Sequence, residues 1–208
     1  SVREDTAGRE VRIFRKMLRF TALLSFPAML GLSLVSREFI LATIGPRWAE
    51  SVPLLRVLSI GGAFLPFHAL YRNLAVSQGR SDVNMWLTLS QVALQILLIL
   101  LTCRQGILTV VWAYTLLNIL WLIAWQASAR RMIGVRMLDV LKDTVPFAAV
   151  SAAVMLVTGV VTAPVGNVYL LLPLRVVLAG ILYVGIMKLL KVRIMDECLH
   201  FIRQKVRK

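Results

Sequence analysis

Charged residues in this chain are confined to short clusters separated by long apolar blocks. Val83–Cys103 carries no charge, Gln105–Ala129 carries none, and Thr144–Leu174 carries none, although Ala163-Pro164-Val165-Gly166-Asn167 interrupts the last block. Roughly 20 mostly apolar residues in a helix cross about 30 Å of hydrocarbon. The pattern therefore predicts an all-α, polytopic membrane bundle of six transmembrane helices, at 17–36, 51–77, 82–103, 107–129, 144–162 and 168–188. Residues 1–16 form a cytoplasmic amphipathic segment in this reading, 17–191 the transmembrane region, and 192–208 a basic amphipathic tail.

The joints between blocks carry recognisable punctuation. Arg12, Arg15, Lys16 and Arg19 recur at helical spacing on one face of the first segment, with Val11, Phe14 and Leu18 on another. Pro27 is expected to kink the first span. Arg37–Glu50 is read as an outer connection with a short interfacial segment, broken at Gly45-Pro46, with Trp48 at headgroup level. Pro53, Gly61, Gly62 and Pro66 break the second span, which ends at Gly79 as a helix C-cap. Ser81 is expected to cap the third span, with Asp82 in its first turn. Arg130–Lys142 and Arg193–Lys208 read as amphipathic helices lying on the membrane surface.

Composition agrees with this picture. The chain is 59% hydrophobic, against about 45–50% for soluble proteins, and its mean hydropathy is +0.78. A net charge of +14 in a soluble protein would suggest nucleic acid. Here the topology accounts for it. Of 24 Lys and Arg residues, Arg37, Arg47, Arg56, Arg104 and Arg175 are the ones assigned to the outer side. The excess on the other side follows the positive-inside rule. It places both ends of the chain in the cytoplasm and leaves no reason to invoke nucleic acid. Cys103 and Cys198 fall on opposite sides of the membrane, which excludes a disulfide between them.

Little in the sequence points to covalent chemistry. There is no paired-carboxylate site, nucleophile elbow, phosphate-cradling loop or His/Cys cluster, so neither a catalytic residue nor a metal or other cofactor is assigned. None of the ten acidic residues is placed at mid-membrane, so a coupling carboxylate is expected outside this chain. The candidate polar residues within spans are His68, Arg72, Asn73, Gln91, Gln95, Asn118 and Arg175. His68 and Arg72 are one turn apart and share a face, with Asn73 adjacent. They form either a cluster for an anionic headgroup or a snorkelling arginine beside a packed histidine. Gln91, Gln95, Tyr114 and Asn118 suit hydrogen bonding between helices. Trp121 and Trp125 suit an aromatic belt or lipid-facing packing. Arg175 lies seven residues into its span, about 10 Å deep at 1.5 Å per residue. At that depth a cation must snorkel or face a cavity, where it could bind phosphate.

Four segments carry a family resemblance. They are the run from Leu18 to Leu32 (LRFTALLSFPAMLGL), Ile44-Gly45-Pro46-Arg47-Trp48, Val52-Pro53-Leu54-Leu55-Arg56-Val57-Leu58 and Ser77-Gln78-Gly79-Arg80-Ser81-Asp82. In this order and spacing they resemble the oligosaccharide flippases of the multidrug/oligosaccharidyl-lipid/polysaccharide exporter superfamily, on the lipopolysaccharide or capsule branch. The resemblance implies a two-lobed bundle in the bacterial inner membrane. By alternating access it would export a polyprenyl-pyrophosphate-linked oligosaccharide. It also implies that these helices are the C-terminal part of such a protein, facing an N-terminal lobe that supplies the other cavity wall. A drug/cation antiporter of the same superfamily would want an acidic cavity, whereas the in-span charges here are basic. An enzyme of envelope synthesis would want larger outer loops than Arg37–Glu50. A non-catalytic scaffold subunit stays open.

Overall fold

The computed structural model describes the backbone of residues 2–163 and 168–189, and the side chains of 8–163 and 169–189. The described residues are almost entirely helical. The helices are α1 (Val2–Leu34), α2 (Ser36–Thr43), α3 (Val52–Gly62), α4 (Leu65–Ser77), α5 (Ser81–Thr102), α6 (Ile107–Ile133), α7 (Met137–Val161) and α8 (Val168–Leu189). Short 3₁₀ turns at Pro46–Ser51 and Cys103–Gln105 complete the order. Six stretches are long and apolar enough to cross a membrane: Gly8–Leu34, Pro46–Ser77, Ser81–Gln105, Ile107–Ile133, Met137–Val161 and Tyr169–Leu189. The chain is a multi-pass membrane protein. The end of the bundle at which α1 starts is termed the near rim. The end holding α2 and the Pro46–Ser51 turn is the far rim.

Helix α1 is the axis of the bundle. Phe14, Leu18, Ala22 and Phe26 recur every four residues and are all buried. They form one ridge against α4, α6 and α7, which contribute Phe67, Tyr71, Trp125, Ala129, Phe147 and Val154 to the same core. Phe14 meets Tyr71 with ring centroids 5.4 Å apart, and Phe26 meets Phe64 and Phe67 at 5.6 Å each. At the other extreme, α5 buries no residue. It leans on α6 and α4 and turns Trp86, Leu89 and Leu100 outward.

The prolines leave backbone carbonyls without partners, and neighbouring helices satisfy two of them. Pro27 has no N–H, so the carbonyl of Leu23 one turn earlier lacks its usual donor. The Tyr183 hydroxyl of α8 donates to that oxygen at 2.9 Å. The second span breaks between α3 and α4. There the Phe67 N–H bonds back to Phe64, leaving the Ala63 carbonyl, which accepts from Ser25 of α1 at 2.7 Å. In hydrocarbon no water is at hand for such groups, so a side-chain donor is what makes each break tolerable. The break also brings α3 close to α6. A Cβ on Gly61 would lie 2.9 Å from Thr115 Cγ2, so glycine is what permits this approach.

Some expectations are corrected. Arg130–Lys142 is not a separate surface helix. It is the end of α6 and the start of α7, parted at Gly134-Val135-Arg136. Ser81 is the first residue of α5, and the position before it, Arg80, makes no side-chain cap bond. What closes α4 is a backbone motif: with Gly79 at φ 68°, its N–H bonds to Val76 and that of Arg80 bonds to Ala75. Trp125 is not lipid-facing but fully buried. Arg193–Lys208 and Cys198 lie outside the described residues.

Candidate functional site

The far rim holds a groove of about 460 Å³ between α1, α2, α7 and α8. It exists because small residues face each other across it, Ala28 and Gly31 on α1 and Ala179 and Gly180 on α8. Pro27 and Tyr183 close its inner end, where the hydroxyl bond to Leu23 ties the two helices. Among its lining residues Arg175 is the one charged group.

Arg175 is not a lone cation. Its Nη1 donates to Glu38 Oε1 at 2.9 Å, and its Nε donates to the Thr162 hydroxyl at 2.9 Å. The two side chains are 14% and 7% exposed, so the pair is largely withdrawn from water. Glu38 Oε2 is buried without a partner. The sequence offers no partner for Arg175, and the structure supplies Glu38 as its counterion. Helix α2 does not merely skim the membrane. It packs on α8 and buries Ser36, Glu38 and Ile40.

The remaining candidates fall into two places. Asn118 of α6 collects three of them. Its Oδ1 accepts from Gln91 at 3.0 Å and from Gln95 at 3.4 Å, and its backbone carbonyl accepts from His68 Nε2 at 2.9 Å. A carbonyl can only accept, so this bond requires the imidazole to carry its proton on Nε2. Asn118 Nδ2 in turn donates to the Tyr114 carbonyl at 2.8 Å. This cluster ties α4, α5 and α6 together. Arg72 and Asn73 do not join it. His68 is buried while Arg72, one turn further along α4, is exposed. Asn73 is exposed and lines a separate near-rim groove of about 350 Å³ with Glu10, Ile13 and Gln78.

A second ion cluster sits at the near rim. Asp143 of α7 is buried and accepts from Arg15 Nε at 2.6 Å, Arg15 Nη2 at 3.2 Å and Arg19 Nε at 2.7 Å. Asp139 lies 3.8 Å from Arg15. Sequence reasoning missed Glu38, Thr162, Asp143 and Tyr183. The signals were available in part. An arginine inside a span calls for a counterion, and the Arg15–Arg19 spacing presents two cations on one helical face. Among the described residues, no group of three or more His, Cys, Asp or Glu could hold a metal ion.

Comparison with known proteins gives the family context. Residues 1–53 match the family described as "Polysaccharide biosynthesis protein". The chain is 31% identical over 119 residues to the Teichuronic acid biosynthesis protein TuaB of Bacillus subtilis, a match covering 54% of this chain and 25% of that protein. It is 29% identical over 83 residues to the Lipopolysaccharide biosynthesis protein WzxC of Escherichia coli, covering 40% of this chain and 17% of that protein. A third match, 32% over 62 residues, is an uncharacterized membrane protein in the cps region of Klebsiella pneumoniae, covering 30% of this chain and 13% of that protein. The matched stretches are thus a quarter or less of each relative's length. No solved structure matches the chain. The family model and the first two relatives are thus described as proteins of polysaccharide, teichuronic acid and lipopolysaccharide biosynthesis, each matched over part of the chain.

Proposed function

We propose that this chain is the C-terminal part of an inner-membrane flippase that exports a polyprenyl-pyrophosphate-linked oligosaccharide for surface polysaccharide synthesis. The observation that carries the reading is the match to two biosynthesis proteins of bacterial surface polymers by a chain whose mass is a six-span helical bundle. In this reading the bundle moves a finished precursor across the membrane by alternating access. The relatives extend far beyond the matched stretch, and the rest of the protein would supply the N-terminal lobe and the other cavity wall. Both ends of this chain are then cytoplasmic, with the near rim inward and the far rim outward.

Within this reading the seven candidates take different roles. Arg175, set in the apolar groove, meets the phosphate of the lipid. His68, Gln91, Gln95 and Asn118 stiffen α4–α6, and their edges are the polar groups available for sugar. Arg72 and Asn73 act at the cytoplasmic entrance. No bound nucleic acid or cofactor enters the mechanism.

The test is deletion of the gene followed by assay of lipid-linked oligosaccharide on each leaflet. Precursor should accumulate on the cytoplasmic side. If it still reaches the outer leaflet at the normal rate in a strain with no compensating transporter, the proposal fails.

A further inference from the structure

We infer that Glu38 is a built-in competitor for the ligand of Arg175: its carboxylate occupies the place that the phosphate of a membrane lipid takes on the same guanidinium. This deepens the flippase reading above and rests on its assignment of Arg175. Three observations carry it. The groove at the far rim is apolar apart from Arg175, which suits a hydrocarbon chain with one anionic group at its end. The single cation in it is already neutralised by Glu38 at 2.9 Å, so an incoming anion has no net charge to meet until that contact opens. Glu38 itself is incompletely satisfied, because Oε2 is buried with no partner. A buried carboxylate that accepts from the guanidinium through one oxygen and leaves the other bare is held less firmly than a bidentate pair. Such a contact is suited to exchange.

The second arginine contact fits the same role. Thr162 accepts from Nε at 2.9 Å and orients the guanidinium without cancelling its charge. Thr162 therefore keeps Arg175 aimed while Glu38 and phosphate trade places. The other titratable or charged groups on the elements packed against α2 are Arg47 and Glu50 in the 3₁₀ turn, Arg56 on α3, and Tyr169, Tyr183 and Lys188 on α8. Arg37 lies on α2 itself, and the charged residues of α1 are at the opposite rim. Arg175 is the cation in contact with Glu38.

The probe is hexadecyl phosphate, titrated into the protein in phosphatidylcholine nanodiscs, with hexadecanol and inorganic phosphate as controls. Glu38→Gln should raise hexadecyl phosphate affinity at least about tenfold, the factor that 1.4 kcal/mol makes in a binding constant. Glu38→Gln/Arg175→Gln should lose that gain, and hexadecanol should respond to neither change. The inference is overturned by an unchanged affinity in Glu38→Gln, by a gain that survives loss of Arg175, or by an equal gain for inorganic phosphate. Should Glu38→Gln fail to insert, the unaltered protein provides a second reading. Labelling of Glu38 by a hydrophobic carbodiimide should rise several-fold when hexadecyl phosphate, but not hexadecanol, is added, and constant labelling overturns the exchange. Normal precursor export after gene deletion would end the flippase reading while leaving these binding results intact. Flat binding results with blocked export would end this inference alone.

Discussion

The two rims of the bundle solve one problem with different chemistry. Each uses a buried carboxylate and arginine to join the α1–α2 segment to the α7–α8 pair. At the near rim a buried acid, Asp143, faces two arginines whose side chains are 30% and 43% exposed. At the far rim the acid and the base are both withdrawn, at 7% and 14%, and pair one to one. The difference is where the charge can go if the pair opens. Arg15 and Arg19 reach water along their own stems. Arg175 and Glu38 have little water to reach. The near rim is therefore a redundant anchor, and the far rim a contact whose opening is costly without a replacement partner. That asymmetry is what a protein needs if one end is fixed and the other exchanges ligands.

The largest expected effect is at the far rim. Arg175→Ala strands Glu38 in a dry site, and removing one member of a buried pair costs about 3–5 kcal/mol. Thermal unfolding in detergent should show it as the largest loss among single changes to these clusters. Glu38→Gln/Arg175→Gln should recover most of the stability. If Arg175→Ala is as stable as the unaltered protein, the far rim is wetter than described and the contrast collapses.

Asp143→Ala comes next. It removes the shared acceptor but leaves two arginines that can turn to water, so the loss is confined to charged hydrogen bonds worth about 1.5–3 kcal/mol. The same unfolding measurement decides it. A loss equal to that of Arg175→Ala would show that both rims are equally dry.

The legibility of these features in the sequence follows from their range. The spans were legible because hydrocarbon thickness imposes a long apolar run, and the break in the second span because Pro and Gly act locally on the backbone. The Gly79 turn was legible for the same reason. The Gln91–Gln95–Asn118 cluster was legible in kind, since amides one turn apart on adjacent helices have few other uses in a membrane. Glu38 and Arg175 were not paired in advance because 137 residues separate them, and α2 reads as a surface connection until α8 is seen against it. Trp125 was misplaced because an apolar run looks alike on its lipid face and its core face. Tyr183 follows from Pro27 once α8 is known to lie beside α1, and from nothing in its own neighbourhood.

The smallest expected effect bears on redundancy. Arg19→Ala leaves Asp143 held by Arg15 through two bonds, at 2.6 and 3.2 Å. The lost cation is half exposed, and exposed ion pairs contribute about 0–1 kcal/mol. The unfolding midpoint should move little, and a double-mutant cycle of Arg19→Ala with Arg15→Ala should be strongly non-additive, because the second removal strands the buried Asp143 as Arg175→Ala strands Glu38. Additive losses would mean that each arginine holds α7 independently. The near rim would then be two separate bonds rather than one carboxylate with a spare partner, and its difference from the far rim would be one of number and not of solvation.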